Sequence, residues 1–171
     1  AFSMEGLEIS KMECFENKFK HNFEIGLNIN NCTFGSINSD YMIKFDESFA
    51  KIANDEDNFI NKGFNPNSLR YDEFNSIFIK NNFHENRNNS GLKISNCENL
   101  KLCLEESNFI SNLTGINISS LKNSVILVKN SNMSENLDIA INISNNTNTK
   151  VFLTNNRINK NISHGLYLSN N

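Results

Sequence analysis

The sequence predicts a single all-β domain wound as a coil of short parallel strands, about seven to eight turns with three strands per turn. Three observations predict it. A string of the type Gly-Leu-x-Ile-Ser recurs at Gly91, Gly115, Ala140 and Gly165, at steps of about 24 residues, a period in the range of stacked repeats. Each string alternates, so that Leu92 and Ile94 face one way and Lys93 the other, as in a half-buried strand. Helical periodicity is almost absent.

The elements follow in order. The first strand of each turn is read at GLEIS from Gly6, GLNIN from Gly26, MIKFD from Met42, SLRYD from Ser68, and then at the four strings above. A second strand follows at Ile77, Leu102, Ile126 and Phe152, rich in β-branched and aromatic residues. A third segment places a large apolar residue three positions before an asparagine. The pairs are Phe19 and Asn22, Phe83 and Asn86, Phe109 and Asn112, Met133 and Asn136, Ile158 and Asn161. Phe59 keeps the apolar slot, with Lys62 in place of the amide.

Stacked about 4.8 Å apart, these rows become ladders. Phe83, Phe109, Met133 and Ile158 form an interior apolar column. Asn86, Asn112, Asn136 and Asn161 form an amide ladder at a bend, satisfying backbone groups there. Gly91, Gly115, Ala140 and Gly165 mark a corner where space, rather than positive φ, is limiting, since Ala140 is tolerated.

A leucine-rich repeat needs a longer non-strand arm, and a propeller blade needs about 40 residues. The chain instead resembles the right-handed parallel β-helix repeat family, with pectate-lyase-like architecture, closely over Ser68 to Asn171 and loosely over Gly6 to Asn67. Right-handedness is implied by that resemblance. The domain then divides into N-terminal turns over 1–36, an irregular acidic insertion over 37–67 that holds the lone proline, and regular turns over 68–171.

Asparagine makes up roughly a fifth of the chain, which suggests disorder. Fourteen phenylalanines and the fixed phase of the apolar residues argue for a packed core instead. A net charge of −3 with mixed signs gives no footprint for nucleic acid, and no apolar run approaches the length of a membrane span.

Candidate chemistry is sparse. Alignment of MIKFDE with SLRYDE stacks Asp46 on Asp72 and Glu47 on Glu73, a cluster that would suit calcium, although short polar residues in these turn positions also serve as caps. Resemblance to the pectate-lyase-like enzymes implies a groove in which such carboxylates bind calcium and Arg70 or Lys93 removes a proton. His164-Gly165 resembles part of the Gly-His-Gly motif of polygalacturonases, whose Asn-Thr-Asp and Asp-Asp partners are missing. His21 and His84 take solvent-facing slots. Cys14 and Cys32 follow successive first strands, and Cys97 and Cys103 flank one bend, so two disulfides or four small buried hydrophobes both fit. Among the Asn-x-Ser/Thr sequons, Asn88, Asn117, Asn142 and Asn145 are the outward or turn positions suited to glycosylation.

The reading that follows is a non-catalytic extracellular or cell-surface module, such as an adhesin, stalk or filament subunit. It carries no resident cofactor. Its expected partners are further copies, or a continuation of the chain, at the open Gly165–Asn171 edge, and polysaccharide is a candidate ligand. The alternative is a lyase, hydrolase or epimerase acting on acidic polysaccharide. A viral spike would require an apolar outer face, whereas the outward residues read as mostly polar.

Overall fold

The computed structural model describes residues 2–22, 25–35 and 74–171, and every regular element among them is a strand. The first turn holds β1 (Phe2–Glu5), β2 (Glu8–Ile9), β3 (Met12–Phe15) and β4 (Lys18–Lys20). The second holds β5 (Leu27–Asn30), β6 (Thr33–Phe34), β7 (Ser76–Ile79) and β8 (Asn82–His84). Three regular turns follow: β9 (Ser90–Ser95), β10 (Lys101–Glu105) and β11 (Asn108–Ile110); β12 (Thr114–Ser119), β13 (Val125–Lys129) and β14 (Asn132–Ser134); β15 (Ile139–Ser144), β16 (Lys150–Thr154) and β17 (Arg157–Asn159). β18 (His164–Ser169) opens the next.

Like strands of successive turns pair in parallel. The first sheet runs β1-β5-β9-β12-β15-β18, the second β3-β7-β10-β13-β16, and the third β4-β8-β11-β14-β17. A fourth face carries only the β2–β6 pair and single bridges from Thr33 through Glu98 and Lys122 to Thr147. The fold is therefore a parallel β-solenoid, as expected.

Two expectations change. β5 is hydrogen-bonded to β1 on one edge and to β9 on the other, with Leu27 opposite Leu92, so the first sheet holds no further strand between them. The solenoid has about five turns, not seven to eight. The strings at Met42 and Ser68, read as members of this sheet, lie outside the described residues. The string at Gly6 is also not a first-sheet strand: Phe2–Glu5 takes that place, with Phe2 opposite Leu27. Gly6, at φ 66°, is instead a corner, in line with Asn31 of the next turn.

Alternation fills the interior. Leu27, Leu92, Ile116 and Ile141 form one column and Ile29, Ile94, Ile118 and Ile143 the next, all at 0–4% exposure. Phe19, Phe83 and Phe109 stack face to face at 4.8 and 4.6 Å between ring centres, and Met133 and Ile158 continue that column. Each buried side chain of this size contributes about 1.5–3 kcal/mol.

The corners account for much of the unusual composition. Every turn bends through left-handed residues, and eighteen of those described are not glycine. One row is Asn31, Asn96, Ser120, Asn145 and Asn170, with φ between 51° and 56°. Asparagine tolerates this conformation better than other side chains do. The glycine row has a different cause. A Cβ on Gly115 would meet the Ala140 carbonyl oxygen at 2.6 Å, and one on Gly26 would meet the Gly91 oxygen at 2.5 Å. Space is the limit there, as Ala140 suggested.

Candidate functional site

The amide ladder is placed as expected. Asn112 Oδ1 accepts from the Asn86 backbone N–H at 3.1 Å and from Asn86 Nδ2 at 2.7 Å. Asn112 Nδ2 donates to the Phe83 carbonyl at 3.0 Å and to Asn136 Oδ1 at 3.3 Å. Asn136 repeats this with Asn161, and Asn86 with Asn22. A second polar ladder, not read from the sequence, lies one corner earlier. There the backbone N–H groups of Asn81, Ser107 and Ser131 donate to the side chains of Ser107, Ser131 and Asn156. Its mixed Asn and Ser membership hid it. Both ladders satisfy buried bends and leave no group aimed at a ligand.

The outward features suited to binding sit on the corner after the first sheet. An open groove of about 350 Å³ runs across three turns, lined by Asn96, Ser120, Asn145, Glu98, Lys122 and Thr147, with Leu121 as its floor. The left-handed backbone at Asn96, Ser120 and Asn145 and the bridges at Glu98, Lys122 and Thr147 fix these side chains at one-turn spacing. Lys122 pairs with Glu98 at 3.3 Å. A sequence signal for this row existed: Ser95 and Asn99, Ser119 and Asn123, and Ser144 and Asn148 share the spacing Ser-x-x-x-Asn. The groove offers hydroxyl, amide and charged groups in periodic array, and no enclosed site for bond chemistry.

The sequons divide by exposure. Asn88 and Asn145 are exposed, whereas Asn117 and Asn142 are half-buried in the outward row of the first sheet, where Asn142 Nδ2 donates to Asn117 Oδ1 at 3.3 Å. Lys93 occupies the same row, between Asn28 and Asn117.

The second sheet departs from the expected polar exterior. Its outward row carries Ile77, Cys103 and Leu127, which with Phe74 form an apolar cluster, 0–6% exposed, separate from the interior core. Beside it Lys129 pairs with Glu105 at 3.1 Å, both side chains under 10% exposed.

No two of the four cysteines are bonded to each other in this structure. Cys14 packs inward in the second sheet opposite Phe78, and Cys103 faces outward between Ile77 and Leu127. Neither suggested pairing, Cys14 with Cys32 or Cys97 with Cys103, is brought together. The reason is the register: Cys14 belongs to a second-sheet strand, and Cys97 and Cys103 lie on opposite faces. Burial pushes the Cys97 and Cys103 thiols up to about 11.

His164 bonds the Ser163 hydroxyl at 2.6 Å and lies edge-on to Tyr167. His21 pairs with Glu85 at 2.8 Å, and His84 sits edge-on to His21. Asp46, Glu47, Arg70, Asp72 and Glu73 lie outside the described residues. Among the described residues no group of three or more His, Cys, Asp or Glu is placed to hold a metal ion, and no helix is long and apolar enough to cross a membrane.

The class of protein defined by this geometry is the parallel β-solenoid. No protein-family model, curated protein or solved structure matches the chain.

Proposed function

We propose that this chain is a non-catalytic structural β-solenoid module of an extracellular or cell-surface adhesin, stalk or filament. In this reading its last turn stacks against a further solenoid turn, from a second copy or from the continuing chain. One observation carries the reading. Leu166 and Leu168 are 41% and 59% exposed at the end of columns whose interior members are at 0–4%. They line an apolar cavity of about 230 Å³ with Val151 and Leu153, and the outer edges of β16, β17 and β18 have no strand partner among the described residues. Such edges pair readily.

The first turn offers the matching surface. Phe2 and Met4 lie in the columns of Leu166 and Leu168, Cys14 in that of Leu153, and Phe19 in that of Ile158. Head-to-tail stacking of copies would extend every column without a change of register. The exposed sequons at Asn88 and Asn145 suit a secreted glycoprotein, and the groove along Asn96, Ser120 and Asn145 suits contact with glycan hydroxyls. The alternative, an enzyme of acidic polysaccharide, would rest on Asp46, Asp72 and Arg70, with Lys93 its one described member.

Sedimentation across a concentration series tests the reading. Self-association is expected for the wild type and is lost in Leu168→Lys. A chain that stays monomeric at every concentration, and gains no stability when one further repeat is fused after Asn171, overturns it.

A further inference from the structure

Cys32 and Cys97 sit in consecutive turns of the same column. The backbones on either side are locked in register: Asn30 pairs with Ser95 two residues before, and Thr33 bridges Glu98 one residue after. The Glu98 N–H donates to the Cys32 carbonyl at 3.1 Å. The two thiols repeat one geometry. Cys32 Sγ donates to the carbonyls of Asn30 at 3.3 Å and Met4 at 3.8 Å; Cys97 Sγ donates to those of Ser95 at 3.2 Å and Ile29 at 3.8 Å. Both therefore point into the core in the same direction, one strand spacing apart. That spacing, about 4.8 Å, falls within the roughly 4.4–6.8 Å between Cα atoms that a disulfide spans.

We propose that Cys32 and Cys97 form a disulfide that staples β5 to β9. The position has a structural logic. These residues flank the one turn whose β6 and β7 are separated by residues 35–75. Every other described turn is closed by short connections, and here a covalent link holds neighbouring turns together where the chain between them is longest.

The chemistry is exchange with a small-molecule disulfide such as oxidised glutathione. A thiolate at Cys32 attacks one glutathione sulfur, forming a mixed disulfide and releasing one glutathione. The Cys97 thiolate then attacks the Cys32 sulfur and expels the second. Two electrons pass from the cysteines to the oxidant, and the two thiol protons leave on two reduced glutathiones. Cys32 and Cys97 are 1% and 0% exposed, and burial holds the Cys97 thiol at about 11, so the folded dithiol reacts slowly. The bond forms as the second turn closes, while the thiols are still reachable. The Cys32 thiol and backbone are among the groups acting on Cys97 in the folded state, and no other cysteine is.

The test is to refold the reduced, full-length chain in a glutathione redox buffer, alkylate free thiols and map peptides without reduction. The expected product is a cross-linked peptide pair carrying Cys32 and Cys97, about 2 Da lighter than the two thiol peptides together, with Cys14 and Cys103 alkylated. The Cys14→Ser/Cys103→Ser double variant keeps the link. The oxidised wild type melts at a higher temperature than the reduced protein, and Cys97→Ser abolishes that redox dependence. Serine retains a donor for the Ser95 carbonyl, so this variant keeps the local hydrogen bond. Four alkylated cysteines, a dominant Cys14–Cys32 or Cys97–Cys103 link, or a wild-type melting temperature that reductant does not move would each overturn the proposal.

Discussion

Replacing Asn112 by alanine removes four hydrogen bonds from a side chain at 0% exposure. At about 1 kcal/mol net per bond, the loss is about 4 kcal/mol. The dominant part is the stranded backbone: the buried Asn86 N–H loses its acceptor, and an unsatisfied buried group alone costs about 1–3 kcal/mol. Asn86 Nδ2 keeps its bond to the Phe19 carbonyl, which limits the damage. Asn117 serves as the control, five residues on in the outward row and half-buried. Its side chain accepts one bond, from Asn142 Nδ2 at 3.3 Å, so Asn117→Ala loses at most about 1 kcal/mol.

Equilibrium urea unfolding followed by the strand signal in circular dichroism reads the difference. With a slope of about 2 kcal/mol per molar urea, the midpoint falls by about 2 M for Asn112→Ala and by no more than about 0.5 M for Asn117→Ala. A domain is stable by about 5–15 kcal/mol in total, so the first change is large. Equal shifts in the two variants would refute the assignment of Asn112 to a buried ladder and Asn117 to the exterior.

The corners give further predictions. Ser120→Gly relieves a left-handed serine at φ 54° on an exposed corner and raises stability by about 0.5–1 kcal/mol, read as a higher melting temperature; a lower one would contradict the corner assignment. Gly115→Ala acts in the opposite sense, because its Cβ meets the Ala140 carbonyl at 2.6 Å, and it loses about 1–3 kcal/mol in denaturant unfolding. Lys129→Met removes the cation beside the buried Glu105 carboxylate, which keeps the bond from Asn130 Nδ2 at 3.4 Å, and loses about 3 kcal/mol, while adding Glu105→Leu recovers most of that loss in a double-mutant cycle.

The fold was legible because its signal is periodic and survives substitution. Phe109, Met133 and Ile158 differ in shape but share a slot, and the asparagine three positions later marks the bend in each repeat. The first turns were harder. GLEIS resembles a first strand, yet it lies 20 residues before GLNIN, while the Phe2–Leu27 register needs 25. Local pattern and repeat length disagreed there, and stacking obeys repeat length, since a shifted turn would misplace every column above it.

The left-handed corners leave no such trace in the sequence. Asn, Ser, Glu, Lys and His all occupy them, so no single residue type advertises the conformation. The ladder role of asparagine is the one the sequence advertises, because only that role recurs at an invariant offset from an apolar anchor. Its abundance in fact reflects two demands of a narrow coil. An inward amide satisfies backbone groups where the chain bends, and an outward residue with positive φ makes the bend itself. A solenoid with few glycines must draw on asparagine for the second task as well as the first. The same division explains why the candidate groove was hard to read. Its Asn96 and Asn145 are there first as corners, and any recognition role exploits side chains that the backbone had already forced outward at one-turn spacing.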